Sequence, residues 1–61
     1  MECSKERIYT VEETAEILSI AKETVYDLIR AGTLKASAIT PRAIRVSGQA
    51  IWDLYDNSKK E

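Results

Sequence analysis

The sequence predicts a mostly helical α+β fold with three short helices and a two-stranded hairpin. Three observations support this prediction. Apolar residues recur at helical spacing in three separate stretches. Between the second and third stretches, β-branched residues flank a single proline. At 61 residues, without repeats or a linker, the chain can bury only one small core. We therefore expect a single domain over residues 1–61, with an ordered core at about 8–56 and mobile tails.

The first helix has a clear start. Thr10 followed three residues later by Glu13 is a capping box, in which each side chain satisfies a free backbone N–H group. Val11, Ala15 and Leu18 then repeat at helical spacing. The helix should end near residue 19, after about two turns.

The second helix begins within three residues of that end. Its apolar stripe consists of Ala21, Val25, Leu28 and Ile29, and Gly32 stands where a left-handed residue would end the helix. The connection "SIA" is too short for an antiparallel pair, so the two helices must cross steeply. Two short helices joined in this way form a helix-turn-helix.

A hairpin, or wing, is predicted over residues 36–46, where "ASAI" and "AIRV" flank the turn sequence "TPR". Along the second strand, Ile44 and Val46 should point to one face and Arg45 to the other. Arg45 would then lie on the outer face, close to Arg42 at the tip of the wing.

The last helix should start at Ser47, a good N-cap residue. Val46 and Ile51 occupy the two positions of a hydrophobic staple around it. Trp52 lies beside the apolar stripe, and either burial against the wing or contact with another copy would suit it. The stripe itself consists of Ile51, Leu54 and Tyr55. Together the elements predict a winged helix-turn-helix.

Composition excludes several classes of protein. The chain has one cysteine, Cys3, and no histidine. It therefore cannot form an intramolecular disulfide or a His/Cys zinc site, and we expect neither a metal nor a cofactor. There is no glycine-rich phosphate loop and no nucleophile paired with a base, which argues against an enzyme. No apolar run could span a bilayer and the charged start is not a signal peptide, so a cytoplasmic, nucleoid-associated protein is expected.

Charge is distributed unevenly along the chain. The net charge is only −1, but residues 22–45 hold five cationic and two anionic side chains, a net +3. Residues 1–21 sum to −3. This asymmetry is typical of a nucleic-acid-binding face with an acidic back.

The outer face of the second helix is the predicted reading surface for double-stranded DNA. In helix-turn-helix proteins such a face enters the major groove. Lys22 can reach guanine or phosphate, and Glu23 can accept a hydrogen bond from cytosine. Asp27 would be neutralised by Arg30 three residues on. The predicted DNA-binding residues are Lys22, Glu23, Thr24, Tyr26 and Arg30, with Arg42 and Arg45 on the wing.

The chain resembles the small winged-helix DNA-binding domains of the excisionase type, which are related to those of MerR regulators. The resemblance covers residues 8–56 and rests on "YTVEETAEIL", "TVYDLIRAGTL" and the position of the last helix after "RVS". It implies contacts by the seven residues just named. It departs from the family at Ser19, usually a turn glycine, at Ala21, usually an N-cap serine, and in a wing with only two arginines.

The same resemblance implies a recombination directionality factor. Such proteins bind and bend attachment-site DNA, often in several adjacent copies, and direct a phage or mobile-element integrase toward excision. Two alternatives stay open: a small transcriptional regulator with the same fold, and a protein-interaction module that does not bind DNA. Salt-dependent affinity for a duplex separates the module from the other two.

Overall fold

The order of helices and strands agrees with a small α+β winged helix-turn-helix. The computed structural model describes residues 2–40 and 42–59, so the predicted turn residue Pro41 lies outside the described part. In the described residues, three helices pack with a three-stranded antiparallel sheet, in which the third strand along the chain lies between the first and the second. The elements are β1 (Ile8–Thr10), α1 (Val11–Leu18), α2 (Lys22–Arg30), β2 (Ser37–Thr40), β3 (Ala43–Ser47) and α3 (Gly48–Lys59).

The sheet has one strand more than the sequence predicts. The hairpin β2–β3 forms the expected wing, and β1 adds to the other edge of β3, with Tyr9 opposite Val46 and Thr10 opposite Arg45. Ile8, Tyr9 and Thr10 are all strand-favouring residue types. Three residues are too few to show an alternating pattern, which is why β1 escapes a sequence-based prediction.

The capping box of α1 is confirmed. The Glu13 backbone N–H donates to the Thr10 hydroxyl at 3.0 Å, and the Thr10 N–H donates to the Glu13 carboxylate at 2.9 Å. This last hydrogen bond, helped by the Thr10 hydroxyl and by the charges of Arg7 and Arg45, lowers the pKa of Glu13. The start of α1 is thereby fixed beside β1 and β3.

The connection between α1 and α2, residues 19–21, contains one residue with an unusual backbone conformation. Ser19 adopts the left-handed conformation, with φ 58° and ψ 43°, and ends α1. Ala21 precedes α2 as an N-cap without a side-chain hydrogen bond, and it is exposed, so its predicted place in the apolar stripe is wrong. At the other end of α2, Gly32 has φ 79°, as predicted.

The core lies where the two helices of the helix-turn-helix meet the sheet and α3. Val25 of α2, Val46 of β3 and Ile51 of α3 are completely buried. The predicted N-cap is present, because the Ala50 N–H donates to the Ser47 hydroxyl at 3.1 Å. Tyr55, expected in the apolar stripe, remains 37% exposed. The buried apolar residues are Tyr9, Val11, Ala15, Val25, Leu34, Val46 and Ile51.

Residues 2–7 form an N-terminal strap against α3 that the sequence does not predict. The Trp52 indole N–H donates to the Cys3 carbonyl at 2.5 Å, and the Gly48 N–H donates to the Arg7 carbonyl at 2.8 Å. Lys5 lies over the Trp52 ring, 5.9 Å from its centroid. Trp52 therefore contacts the strap, whereas the sequence suggests the wing or another copy.

Candidate nucleic-acid interface

A surface groove lies between the start of α1, the start of α2 and the wing. Four of the seven predicted DNA-binding residues line it: Lys22 and Tyr26 from α2, and Arg42 and Arg45 from the wing. The structure thus brings together cationic residues that are about twenty positions apart in sequence. We call this surface the basic groove; its remaining lining residues are Thr10, Val11, Glu12 and Ile44.

The buried side of α2 determines which of its residues face the groove. Val25 is completely buried, so it anchors the helix to the core. Lys22 and Tyr26 are four residues apart and therefore lie one above the other on the groove side. Arg30 continues this row by one further turn, about 12 Å along the helix from Lys22. Arg30 does not line the groove itself, but it extends the same flank of α2.

Two predicted residues at the start of α2 lie outside the basic groove. Glu23 and Thr24 are exposed, but neither lines the basic groove. Both belong to the first turn of α2, where residues can approach base edges in a major groove. The seven residues accordingly form two groups: four in the groove, and three on the exposed surface of α2 beside it.

The two wing arginines differ in burial and in the contacts that hold them. Arg45 lies on β3, the central strand, opposite Thr10 of β1 and Ser37 of β2. It is partly buried, and its guanidinium donates to the Ile44 carbonyl at 3.0 Å. Arg42 is exposed beside the turn, where its backbone N–H donates to the Thr40 hydroxyl. Arg45 is thus held within the sheet, whereas Arg42 extends the cationic surface outward.

Two carboxylates already neutralise cations of α2. Arg30 pairs with Asp27, as predicted from their spacing. Lys22 pairs with Glu12 of α1 across 3.9 Å. Sequence reasoning missed Glu12 as part of the groove, because its position in the first turn of α1 already suggests compensation of the helix dipole. Only the crossing of α1 and α2 shows that it also approaches Lys22.

Within residues 2–40 and 42–59, no group of three or more His, Cys, Asp or Glu side chains could hold a metal ion. No helix in this part of the chain is both long and apolar enough to cross a membrane. Apart from the Glu12 carboxylate, the charged and phenolic groups of the groove are hydrogen-bond donors: one ammonium, two guanidinium groups and a phenol. Such donors suit phosphate oxygens and base edges.

Comparison with known proteins supports the fold and a DNA-binding class of domain. No curated protein matches the chain. A helix-turn-helix domain family matches residues 8–53, which include α1, α2, the wing and the first half of α3. That span is well over half of the 61 residues. The chain therefore belongs to this helix-turn-helix domain family.

Proposed function

We propose that the protein binds duplex DNA by inserting α2 into the major groove while the wing contacts the flanking backbone or the adjacent minor groove. The observation that carries this proposal is the basic groove, in which cations from α2 and from the wing meet within a helix-turn-helix fold. A helix of nine residues is about 13 Å long. Its diameter of about 10–12 Å and its exposed polar face suit a major groove about 12 Å wide.

Each proposed contact follows from side-chain chemistry. Lys22, at the first position of α2, is within reach of guanine acceptors or a phosphate. Glu23 accepts a hydrogen bond from a cytosine amino group, and Thr24 donates to the backbone. Tyr26 donates its phenol hydrogen to a phosphate. In this arrangement Arg30, Arg42 and Arg45 contact phosphates on the flanks.

At the finer level, we propose an excisionase-type recombination directionality factor that works in the cytoplasm, at the nucleoid, without a cofactor and without catalysis. The family supports this reading because it includes excisionase-like DNA-binding domains. The net charge of −1 and the two internal ion pairs predict modest affinity for a single copy. Stable binding would then need adjacent head-to-tail copies or an integrase already on the DNA.

A recombination assay with the cognate integrase and its attachment sites tests the proposal. The protein should raise excision and leave integration unchanged or reduced, with a shifted gel band on the same fragments. The variant carrying both Lys22→Ala and Arg42→Ala is the matched control, and it should lose both effects. A gel shift without any change in the direction of recombination would instead favour a transcriptional regulator. No binding to any duplex at low salt would favour a protein-interaction module.

A further inference from the structure

Glu12 is an acidic residue inside a groove whose other charged residues are all cationic. Its carboxylate lies 3.9 Å from the Lys22 ammonium, and both side chains are exposed, at 81% and 49%. At this distance the two groups form an ion pair without a hydrogen bond, so a phosphate that approaches Lys22 also approaches the negative charge of Glu12. In the free protein Glu12 pairs with Lys22, and in any complex with a polyanion its negative charge repels the ligand.

We propose that Glu12 competes with DNA phosphate for Lys22 and so lowers the affinity for non-specific DNA. This inference rests on the proposed DNA-binding function. When Lys22 contacts a phosphate, its attraction to Glu12 is weakened, and the carboxylate must be tolerated beside the negatively charged duplex. Non-specific contacts offer only phosphates, whereas a cognate site also offers base contacts that offset this cost. Glu12 thereby increases the ratio of specific to non-specific binding.

The distribution of ion pairs supports a division of labour between α2 and the wing. On α2, Lys22 pairs with Glu12 and Arg30 with Asp27. Neither Arg42 nor Arg45 has a carboxylate within ion-pair distance among the residues that the structure describes. The wing arginines can therefore contact a phosphate without displacing a carboxylate, whereas a phosphate that contacts a cation of α2 must compete with one. The wing supplies general attraction, and α2 discriminates.

The other acidic residues of α1 do not share the position of Glu12. Glu13 is occupied by the capping box with Thr10. Glu16 is exposed one turn further along α1 and does not line the basic groove. Glu16→Gln changes the net charge by the same amount as Glu12→Gln, on the same helix, without touching Lys22. It is therefore a matched control.

The test measures affinity for a random-sequence duplex by fluorescence anisotropy across a salt series. Glu12→Gln should bind about two- to fivefold more tightly than the parent, which corresponds to the loss of one exposed ion pair. Its log–log salt slope should be steeper by up to about one unit, because one more phosphate is neutralised. In the Lys22→Ala background, the gain should fall to that of Glu16→Gln.

Equal effects of Glu12→Gln and Glu16→Gln would overturn the inference, since the total charge alone would then explain both. Weaker binding by Glu12→Gln would also overturn it, because Glu12 would then be holding Lys22 in a binding-competent position. If the parent binds no duplex at low salt, the proposed function itself fails, and this inference fails with it. Thermal unfolding verifies that each variant is folded. Glu12→Gln removes a favourable interaction with the helix dipole, so it can lower the stability of the fold. Such a loss of stability would not produce the expected gain in affinity.

Discussion

The two glycines occupy positions that disfavour other residues for different physical reasons. Gly32 has φ 79°, and a Cβ atom added there would meet nothing within 4 Å. Gly48 shows no such positive φ, but its added Cβ would lie 1.7 Å from the Ser4 carbonyl oxygen. Gly32 is needed for its backbone conformation, and Gly48 for the close approach of the N-terminal strap to α3.

Gly48→Ala should destabilise the fold by about 1–3 kcal/mol, because the strap must move away from α3. Trp52 is the only tryptophan and contacts the strap, so its fluorescence should shift toward longer wavelength. Gly32→Ala is the matched control: it should cost about 1 kcal/mol through backbone strain and leave the Trp52 emission unchanged. Denaturant unfolding followed by fluorescence measures both effects. A Gly48→Ala protein as stable as the parent would show that the strap is not packed as described.

At the scale of single elements, the corner between α1 and α2 is not optimised for stability. Ser19 takes a left-handed conformation that is unfavourable for a residue with a Cβ atom. Ala21 caps α2 without any side-chain hydrogen bond. Within the helix-turn-helix, these are the two positions at which the sequence departs from the excisionase-type domains that it resembles. Both helices that flank this corner nevertheless form, α1 over Val11–Leu18 and α2 over Lys22–Arg30.

Ser19→Gly should stabilise the protein by about 1 kcal/mol, because it relieves the left-handed conformation. Ala21→Ser should raise the free energy of unfolding by about 1 kcal/mol through a capping hydrogen bond. In a domain of this size, each corresponds to a rise in Tm of about 4–8 °C. Calorimetry or thermal circular dichroism measures the shift.

Ala31→Gly is the control for Ser19→Gly. Ala31 also ends a helix, but its φ of −76° and ψ of −9° are right-handed. Glycine there should lower Tm, because it adds freedom to the unfolded chain without relieving strain. A loss of stability in Ser19→Gly would mean that the Ser19 side chain makes a contact that the fold requires.

Features determined by neighbouring residues were predictable from the sequence. The capping box at Thr10 and Glu13, the cap at Ser47 and the left-handed Gly32 all depend on a few adjacent positions, and the structure contains each. Several features that depend on distant residues were missed. Strand β1 exists because β3 pairs with it, and the pairing of Glu12 with Lys22 depends on how two helices cross. The strap depends on Gly48, whose role shows only when residue 4 is placed beside it.

At the scale of the whole molecule, dimensions and charge suit a ligand that extends beyond the groove. The longest extent of the protein is 34 Å, which is about one turn of duplex DNA. One copy would therefore cover about one turn, and neighbouring copies could follow at that interval. The net positive charge is concentrated in residues 22–45, and this stretch supplies Lys22, Arg42 and Arg45 to one groove. The predicted clustering of these three cations is present, although Arg30 lies on the flank.

The central claim is that α2 and the wing contact the same duplex at once, and a salt titration of three single variants tests it most directly. Lys35 lines a different cleft, beside Asp53 and Asp56 of α3, so Lys35→Ala controls for the loss of one positive charge. On an attachment-site duplex, Lys22→Ala and Arg42→Ala should each flatten the log–log salt slope by about one unit, and Lys35→Ala should leave the slope unchanged. The same slope in all three variants, or an affinity that does not depend on salt, would contradict the account.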